Sequence, residues 1–421
     1  MAFKRPKGTQ DLLPADTPRW QWLEAIFRRR CALYGYREIR TPIFESTELF
    51  ARGVGEDTDI VIKQMYSFES KGRDRLTLRP EGTATTVRAV IENNLLRQGG
   101  IVKLYYLGPI FRYEQPQSGR YRQFHQVGIE AFGAPGPDID AEILAFAAEF
   151  LRDLGIGMTT LELNSVGCPE CRPRYRDALR NALSGARTEL CPDCTRRYDG
   201  NPLRILDCKV ETCRELASDV PVMLDVLCDP CKAHLLGVED GLRALGVEYV
   251  VNPHIVRGLD YYTRTAFEFV SGVLGAQNTV LAGGRYDGLV EELGGPATPG
   301  IGFAAGIERL LMATEGAVPL PEQPGPLFIA TLGPVARRAG FILAEGLRRA
   351  GIPALTDYGE RSVKAQMREA NRKGAWYAVV LGENELASNE VALRDMRTST
   401  EERLALDRLE ERLRGVYSLW R

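Results

Sequence analysis

Between residues 18 and 33 apolar side chains return at helical intervals, with Trp22, Ile26 and Leu33 and the arginines Arg29 and Arg30 near one stripe. Gly35 then closes the helix. Tyr36 to Glu45 reads as a strand, but Pro42 interrupts it. A central strand would not accept that proline, so the segment is an edge or an interface. A run at Leu76–Arg79 is extended and ends at Pro80, after which Glu81-Gly82-Thr83 opens a helix. That order puts the Glu81 carboxylate at the positive end of the helix, where it can simply serve the first turn. From Leu104 to Glu130, apolar residues stand two or four apart on either side of a polar loop, Tyr106 and Ile110 before it and Val127 and Ile129 after it. A long antiparallel hairpin is the prediction. Ile143, Ala147, Phe150 and Leu154 mark a further helix, closed by Gly155.

The second half has its own rhythm. Thr265 to Phe269 alternates as a strand, and Arg257-Gly258 before it makes a turn with an outward guanidinium. Leu281 to Gly288 is glycine-rich, suited to a tight turn or to close approach of the backbone to a ligand. Gly300 to Leu310 joins a strand of small residues to a helix. Pro319 to Pro326 holds four prolines and a glycine and reads as an interdomain linker. Beyond it, strand 327–330, helix 335–350, strand 353–356, helix 362–373 and strand 376–381 alternate, which predicts an α/β domain with a largely parallel sheet.

Composition sets limits on this picture. A chain of 421 residues with 44% hydrophobic content can bury several cores, and roughly two to four domains are expected. The formal charge is only −2, so any nucleic-acid surface must be a local patch. The basic start, Met1 to Lys7, is followed by polar residues without an apolar stretch. The expectation is a soluble, cytoplasmic protein. Nine cysteines in such a chain point to thiols or metal ligands more than to disulfides.

Candidate chemistry gathers in three places. On the hairpin, Arg112, Arg120 and Arg122 flank the loop, and planar guanidinium groups suit phosphate oxygens. Gln126 and Glu130 on the return strand share one face. A solvated hairpin with scattered charge is the plainer account of the same residues. Second, Cys168-x-x-Cys171, Cys191-x-x-Cys194 and Cys228-x-x-Cys231 are three candidate pairs for a closed tetrahedral metal site, with Cys208 and Cys213 between them. Three pairs compete for the two places of one site, and free core thiols or partial redox pairing are alternatives. Third, Arg361, Lys364, Arg368, Arg372 and Lys373 crowd one helix of the C-terminal domain, either as a solvated face or as a contact for a nucleic-acid backbone.

These motifs, taken together, resemble a known family. Phe111 to Glu114 followed by Gly119 to Gln126 resembles motif 2 of class II aminoacyl-tRNA synthetases in its histidyl-tRNA synthetase form. The helix, strand and proline of residues 18–45 resemble motif 1, which forms the homodimer contact in that class. Arg257-Gly-Leu-Asp-Tyr-Tyr262 and Leu281 to Gly288 resemble the two histidine-specific motifs, and Gly300 to Leu310 resembles motif 3. The resemblance implies an α+β fold: an antiparallel-sheet catalytic core in two parts, 1–163 and 250–318, around a small Cys-rich insertion domain at 164–249. After the linker at 319–326, a C-terminal α/β anticodon-binding domain would occupy 327–421.

It further implies a histidine-tRNA ligase acting on L-histidine, ATP with Mg2+ and tRNA(His). Arg112 would bind the α-phosphate, with Arg120 and Arg309 on the rest of the ATP, and Arg257 would stabilise the pentavalent centre. Glu81, Gly82, Thr83 and Gln126 would hold the main-chain groups of histidine; Glu130 and Tyr262, supported by Tyr261, would read its imidazole. A structural Zn2+ in the insertion is a property of this sequence and is not implied by the family. His125 alternates with Gln126 and is expected to be structural. Gln115 stands where relatives usually have arginine, which bears on contact with the acceptor end of the tRNA. A regulatory paralogue that binds histidine without catalysis, and a zinc-containing RNA-binding module, are the alternatives. The complete Arg257 motif and the anticodon-binding domain weigh against the first.

Overall fold

The structure, a computed structural model, describes residues 3–56, 58–97, 99–117, 119–200, 202–206, 208, 210–255, 259–274, 278–314 and 324–417. Arg257 and most of the 319–326 segment lie outside the described residues. The chain forms two compact units, Met1–Leu320 and Pro321–Arg421.

The first unit begins with helix α1 (Thr17–Leu33), strands β1 (Arg37–Glu38) and β2 (Phe44–Ser46), helix α2 (Thr47–Val54), and strands β3 (Tyr66–Glu69) and β4 (Arg75–Leu78). Pro42 falls between β1 and β2, which enter different sheets, so the expected single strand is broken there. The physical reason is the one read from the sequence: proline offers no N–H to a ladder. Helix α3 (Thr83–Glu92) follows, then the hairpin β5 (Val102–Phe111) and β6 (Gln123–Phe132), paired from Val102 opposite Phe132 to Phe111 opposite Gln123. Next come α4 (Asp138–Asp153), β7 (Thr159–Ser165), the insertion helices α5 (Cys171–Leu183), α6 (Pro192–Asp199), α7 (Glu211–Ser218) and α8 (Asp229–Ala244), and then β8 (Val250–Val251). Strands β9 (Thr263–Ser271) and β10 (Thr279–Arg285), the short helix α9 (Leu289–Glu292), strand β11 (Gly300–Gly306) and helix α10 (Ile307–Ala313) complete the unit.

Eight strands make one sheet in the order β1-β5-β6-β11-β10-β9-β7-β8, antiparallel except at its two margins. Its faces differ sharply. Val127 and Ile129 of β6, Phe267 and Phe269 of β9, and Ile301, Phe303 and Ala305 of β11 enter the main core with α1 and α4. Strand alternation therefore turns Gln126, Gly128 and Glu130, then Glu268, then Gly302, Ala304 and Gly306, to the opposite face. Bulk sits on the core side and small or polar residues on the other, which leaves room for a cavity. The glycine-rich run at residues 281–285 is the interior of β10 and not a turn. Gly283 has no room for a side chain, since a Cβ there would lie 2.1 Å from the Gly302 carbonyl oxygen on β11.

Helix α1 departs from its expected stripe. Its buried face is Trp20, Leu23, Phe27 and Cys31, while Leu33 is 70% exposed. Apolar and polar residues are spread around this helix with little asymmetry, so the sheet, and not the sequence pattern, selects the face. Behind the sheet, Arg285 is fully buried against Asp140, whose carboxylate also accepts from Thr265 and meets His234 at 3.0 Å. That network joins β10, β9, α4 and α8 without reaching the cavity.

The second unit comprises β12 (Leu327–Thr331), α11 (Pro334–Arg349), β13 (Ala354–Thr356), α12 (Val363–Arg372), β14 (Tyr377–Leu381), α13 (Glu383–Ser388), β15 (Glu390–Asp395), β16 (Glu401–Ala405) and α14 (Leu409–Tyr417). Its sheet order is β13-β12-β14-β15-β16, parallel through the first three and antiparallel at β15 and β16. None of the described helices is long and apolar enough to cross a membrane.

Candidate functional site

The polar face of the large sheet floors a cavity of about 400 Å³ whose lining includes Thr83, Tyr286 and Gly302 as well as Arg112, Arg120 and Arg309. Glu81, Gly82, Thr83, Arg112, Arg120, Gln126, Tyr261, Tyr262 and Arg309, predicted from separate stretches of sequence, all line it.

Glu130, expected among the lining residues, lies just behind them and is 1% exposed. Its carboxylate accepts from Thr83 Oγ1 at 2.7 Å and from the Tyr286 hydroxyl. Gly302 faces it on β11, and a Cβ there would lie 2.0 Å from Glu130 Oε2. The strand has glycine at this position because the carboxylate fills the space. Burial drives the Glu130 carboxyl up to about 8, against the lowering pull of its bonds from Tyr286 and Thr83. A buried acid in that range is suited to meeting a group that brings its own positive charge.

Tyr261 and Tyr262 are both 7% exposed, with ring centroids 4.7 Å apart. Tyr286 stands edge-on to Tyr261 at 5.7 Å. Tyr106 lies between Gly82 and Gly128, either of which would strike its ring if it carried a Cβ. Two buried polar atoms here have no hydrogen-bond partner among the described residues, the Tyr106 hydroxyl and Gln126 Oε1. Unmet groups of this kind in a polar cavity mark where a ligand's polar groups belong.

Glu81 performs the local role open to it from sequence: its two oxygens accept from the backbone N–H of Thr83 and Ala84, each at 2.7 Å, at the start of α3. Burial raises its carboxyl, offset in part by those two bonds. Each oxygen retains a lone pair toward the cavity, so capping and ligand binding are compatible.

The other end is cationic. Arg112 is held by Nε donating to the Pro80 carbonyl at 2.8 Å, with its guanidinium over Phe124. Arg309 on α10 donates from Nε and Nη2 to the Thr279 carbonyl at 3.1 and 2.9 Å. Burial first, and then repulsion from Arg120, pull Arg309 below its ordinary value. Arg120 itself pairs with Glu114 at 3.0 Å. Clustered guanidinium groups of this kind form a site for a polyanion. Arg122, by contrast, stacks on Tyr113 at 3.9 Å and braces the loop. Gln115 is exposed on that loop.

Tyr106, Tyr286 and Glu268 are among the lining residues not predicted from the sequence. Tyr106 and Tyr286 resemble core aromatics, and only the glycines around Tyr106 hinted otherwise. Glu268, which accepts from Thr279 Oγ1 at 2.6 Å, was signalled by its polar position between Phe267 and Phe269 in an alternating strand. His125 faces away: its backbone N–H and Nδ1 meet Glu308 at 3.0 and 3.1 Å, and its ring packs on Trp20.

The cysteines require a correction. The expectation was one site contested by three pairs, but the eight cysteines fall into two groups of four: Cys168, Cys171, Cys228 and Cys231, and Cys191, Cys194, Cys208 and Cys213. The third pair has its own partners in Cys208 and Cys213, whose spacing does not announce a metal-ligand pair. In the second unit, Arg361 and Arg372 of the basic helix segment are tied to Asp357 and Glu369, while Lys364, Arg368 and Lys373 form no ion pair among the described residues.

Comparison with known proteins matches this geometry. A family model described as "Histidyl-tRNA synthetase" matches residues 8–180 and 209–310, and one described as "Anticodon binding domain" matches residues 327–415. A curated histidine–tRNA ligase of Desulforamulus reducens is 51% identical, over 97% of this chain and 98% of its own. One from Caldanaerobacter subterraneus subsp. tengcongensis is 49% identical, over 99% and 100%. The crystal structure of the apo S. aureus histidyl-tRNA synthetase has a TM-score of 0.83 at 41% identity, covering 98% of this chain and 99% of that one. Matched by the family model over most of its first unit and by these relatives over 97% or more of its length, the chain belongs to the histidyl-tRNA synthetase family.

Proposed function

We propose that this chain is a histidine-tRNA ligase: it activates L-histidine with ATP to histidyl-adenylate and transfers the acyl group to the 3′ end of tRNA(His). The observation that carries this reading is one cavity that joins Thr83 and Tyr286, which hold the buried Glu130 just behind the lining, to a cluster of arginines. Imidazole has a ring nitrogen at each side and needs polar partners for both, which Glu130 and Tyr262 offer. The carboxylate of histidine then lies toward Arg112, where it attacks the α-phosphorus of ATP. Negative charge grows on the phosphate oxygens as pyrophosphate departs, and fixed cations stabilise it without reorganising.

In this account Arg112 binds the α-phosphate, Arg120 and Arg309 take the rest of the nucleotide, and Arg257, outside the described residues, steadies the pentavalent centre. Glu81, Thr83 and Gln126 hold the α-ammonium and carboxylate groups, with Gly82 giving the backbone close access. Magnesium bound with the ATP would add charge neutralisation; Glu268, which shares Thr279 with Arg309, would be the carboxylate to help hold it. Residues 164–249 act as an insertion between the two catalytic parts, 1–163 and 250–318, and carry structural zinc. The 327–421 domain, joined through 319–326, reads the anticodon end of the tRNA. Two copies pair through the motif 1 region, where Ile43 and Phe44 are 44% and 52% exposed, and the enzyme works in the cytoplasm.

Histidine-dependent exchange of labelled pyrophosphate into ATP, run across the amino acids without tRNA, tests the assignment. Exchange with histidine alone is the expected result. A folded sample with no exchange would favour a histidine-binding regulatory protein instead.

A further inference from the structure

The insertion between β7 and β8 builds its core partly from sulfur. Residues such as Tyr175, Leu179, Ile205 and Met223 share the buried cluster with five cysteines, and Cys168, Cys191 and Cys228 pack against it. A segment this small generally needs a disulfide or a metal to hold its shape. All of its cysteines are free, so disulfides do not supply the staple.

The sulfur geometry is selective. In the first group Cys168 Sγ lies 3.7 Å from both Cys171 Sγ and Cys228 Sγ, and in the second Cys191 Sγ lies 3.9 Å from Cys208 Sγ. Within each group all four ligand atoms fall within 4.8 Å of one another. A zinc–sulfur bond of about 2.3 Å in a tetrahedron separates its sulfurs by about 3.8 Å. A disulfide would need about 2.05 Å, and a multi-iron cluster would hold its thiolates farther apart than one ion does.

Backbone placement agrees. Cys228 N donates to Cys171 Sγ at 3.2 Å, and Cys191 N to Cys213 Sγ at 3.3 Å. Cys171 opens α5, while Cys191 and Cys228 cap α6 and α8, so helix N-termini favour negative sulfur at both sites. Cys31 serves as an internal contrast: it is buried in the main core, far in sequence from the rest, and joins neither group.

We infer that the insertion binds two mononuclear zinc ions, each through four thiolates, and that the first acts as a strut for the histidine pocket. That site fixes the start of α5, and the residue after Cys171 is Arg172. Its guanidinium donates to the carbonyl oxygens of Asp260, at 3.1 Å, and of Tyr262. Gly167, next to Cys168, accepts from Arg264 N at 2.8 Å. The segment carrying Tyr261 and Tyr262 is thus held at both sides by residues adjoining first-site cysteines. Arg172 is a positioning residue; it touches backbone and not substrate. The strut rests on the functional reading above, whereas the two ions do not.

The full chain, purified without chelator, should contain two zinc ions by elemental analysis and release two equivalents to a mercurial titrant. Cobalt substitution should give the absorption of tetrahedral thiolate coordination at both sites. The double variant Cys168→Ser/Cys228→Ser should retain one ion, and Cys194→Ser/Cys208→Ser the other; the wild-type count stands even if either variant misfolds. Fewer than two ions in folded wild type, or iron with inorganic sulfide, would overturn the assignment. Arg172→Ala should keep both ions, speed amide exchange across residues 259–263, and raise the KM for histidine about tenfold while that for ATP stays within about twofold. Unchanged amide exchange would overturn the strut. Two ions with no histidine-dependent pyrophosphate exchange would uphold the metal sites and locate the failure in the functional reading.

Discussion

The two ends of the cavity solve different problems by different means. At the Glu130 end, specificity is built in advance: the carboxylate is nearly inaccessible, already bonded to Thr83 and Tyr286, and enclosed by a glycine that leaves no spare volume. At the arginine end the cations are anchored by one part of each guanidinium to backbone carbonyls, as with Arg112 on Pro80 and Arg309 on Thr279. In the proposed reaction the first arrangement would discriminate by the cost of leaving buried polar groups unpaired. In that reaction the second would stabilise charge that appears only when phosphates arrive. Reading an amino acid side chain needs shape and fixed donors; handling a polyphosphate needs concentrated positive charge.

Substitutions at the two ends should separate accordingly. The largest effect is expected for Arg112→Ala, a loss of about a thousandfold in adenylate formation with histidine binding retained. Single-turnover kinetics would measure it, and Arg257→Ala should fall in the same range. An equal loss of histidine affinity would show that the two ends are not independent. Next comes Gly302→Ala, which forces a methyl group into the Glu130 carboxylate and the Ile129 carbonyl. It should destabilise the fold by about 1–3 kcal/mol and raise the histidine KM about a hundredfold, because a reading group is displaced. Denaturant unfolding and steady-state kinetics test both parts.

Glu130→Gln is gentler, raising the histidine KM by about tenfold or more and that for ATP much less. It also has a pH signature. The wild-type carboxyl holds its proton up to about 8 in the folded state, against an ordinary value of 4.5. The folded protein therefore binds more protons than the unfolded chain between those values, and stability from this group is lost as pH rises through the window. In urea titrations without histidine, the stability gap between variant and wild type should shift in the variant's favour from pH 5 to pH 8. A gap that does not move with pH would show that Glu130 is ionised in the free protein. The smallest effect is expected at Arg120, 40% exposed and paired with Glu114. Solvent screens it, so Arg120→Ala should raise the ATP KM by only about threefold and leave histidine untouched.

Much of this architecture was legible in the chain. The β5–β6 hairpin followed from alternation interrupted by a polar loop, and its pairing set Gln126 and Glu130 on one face. The alternating elements of the second unit were visible for the same reason, each bounded by glycine or proline, although the antiparallel margin of that sheet at β15 and β16 was not anticipated. Helix α1 was misread because its apolar residues do not form one clean stripe, and burial against the sheet chose Trp20, Leu23, Phe27 and Cys31.

The sequence by itself determined the family, the order of the elements and nine of the residues that line the cavity, because those depend on local periodicity and on motifs that sit at hinges between strand, loop and helix. Only the tertiary structure decided that Tyr106, Tyr286 and Glu268 join them, that Gly302 exists to admit a carboxylate, and that eight cysteines form two tetrads. Each of those facts concerns atoms brought together across long stretches of chain, and spacing along a sequence does not encode distance in space.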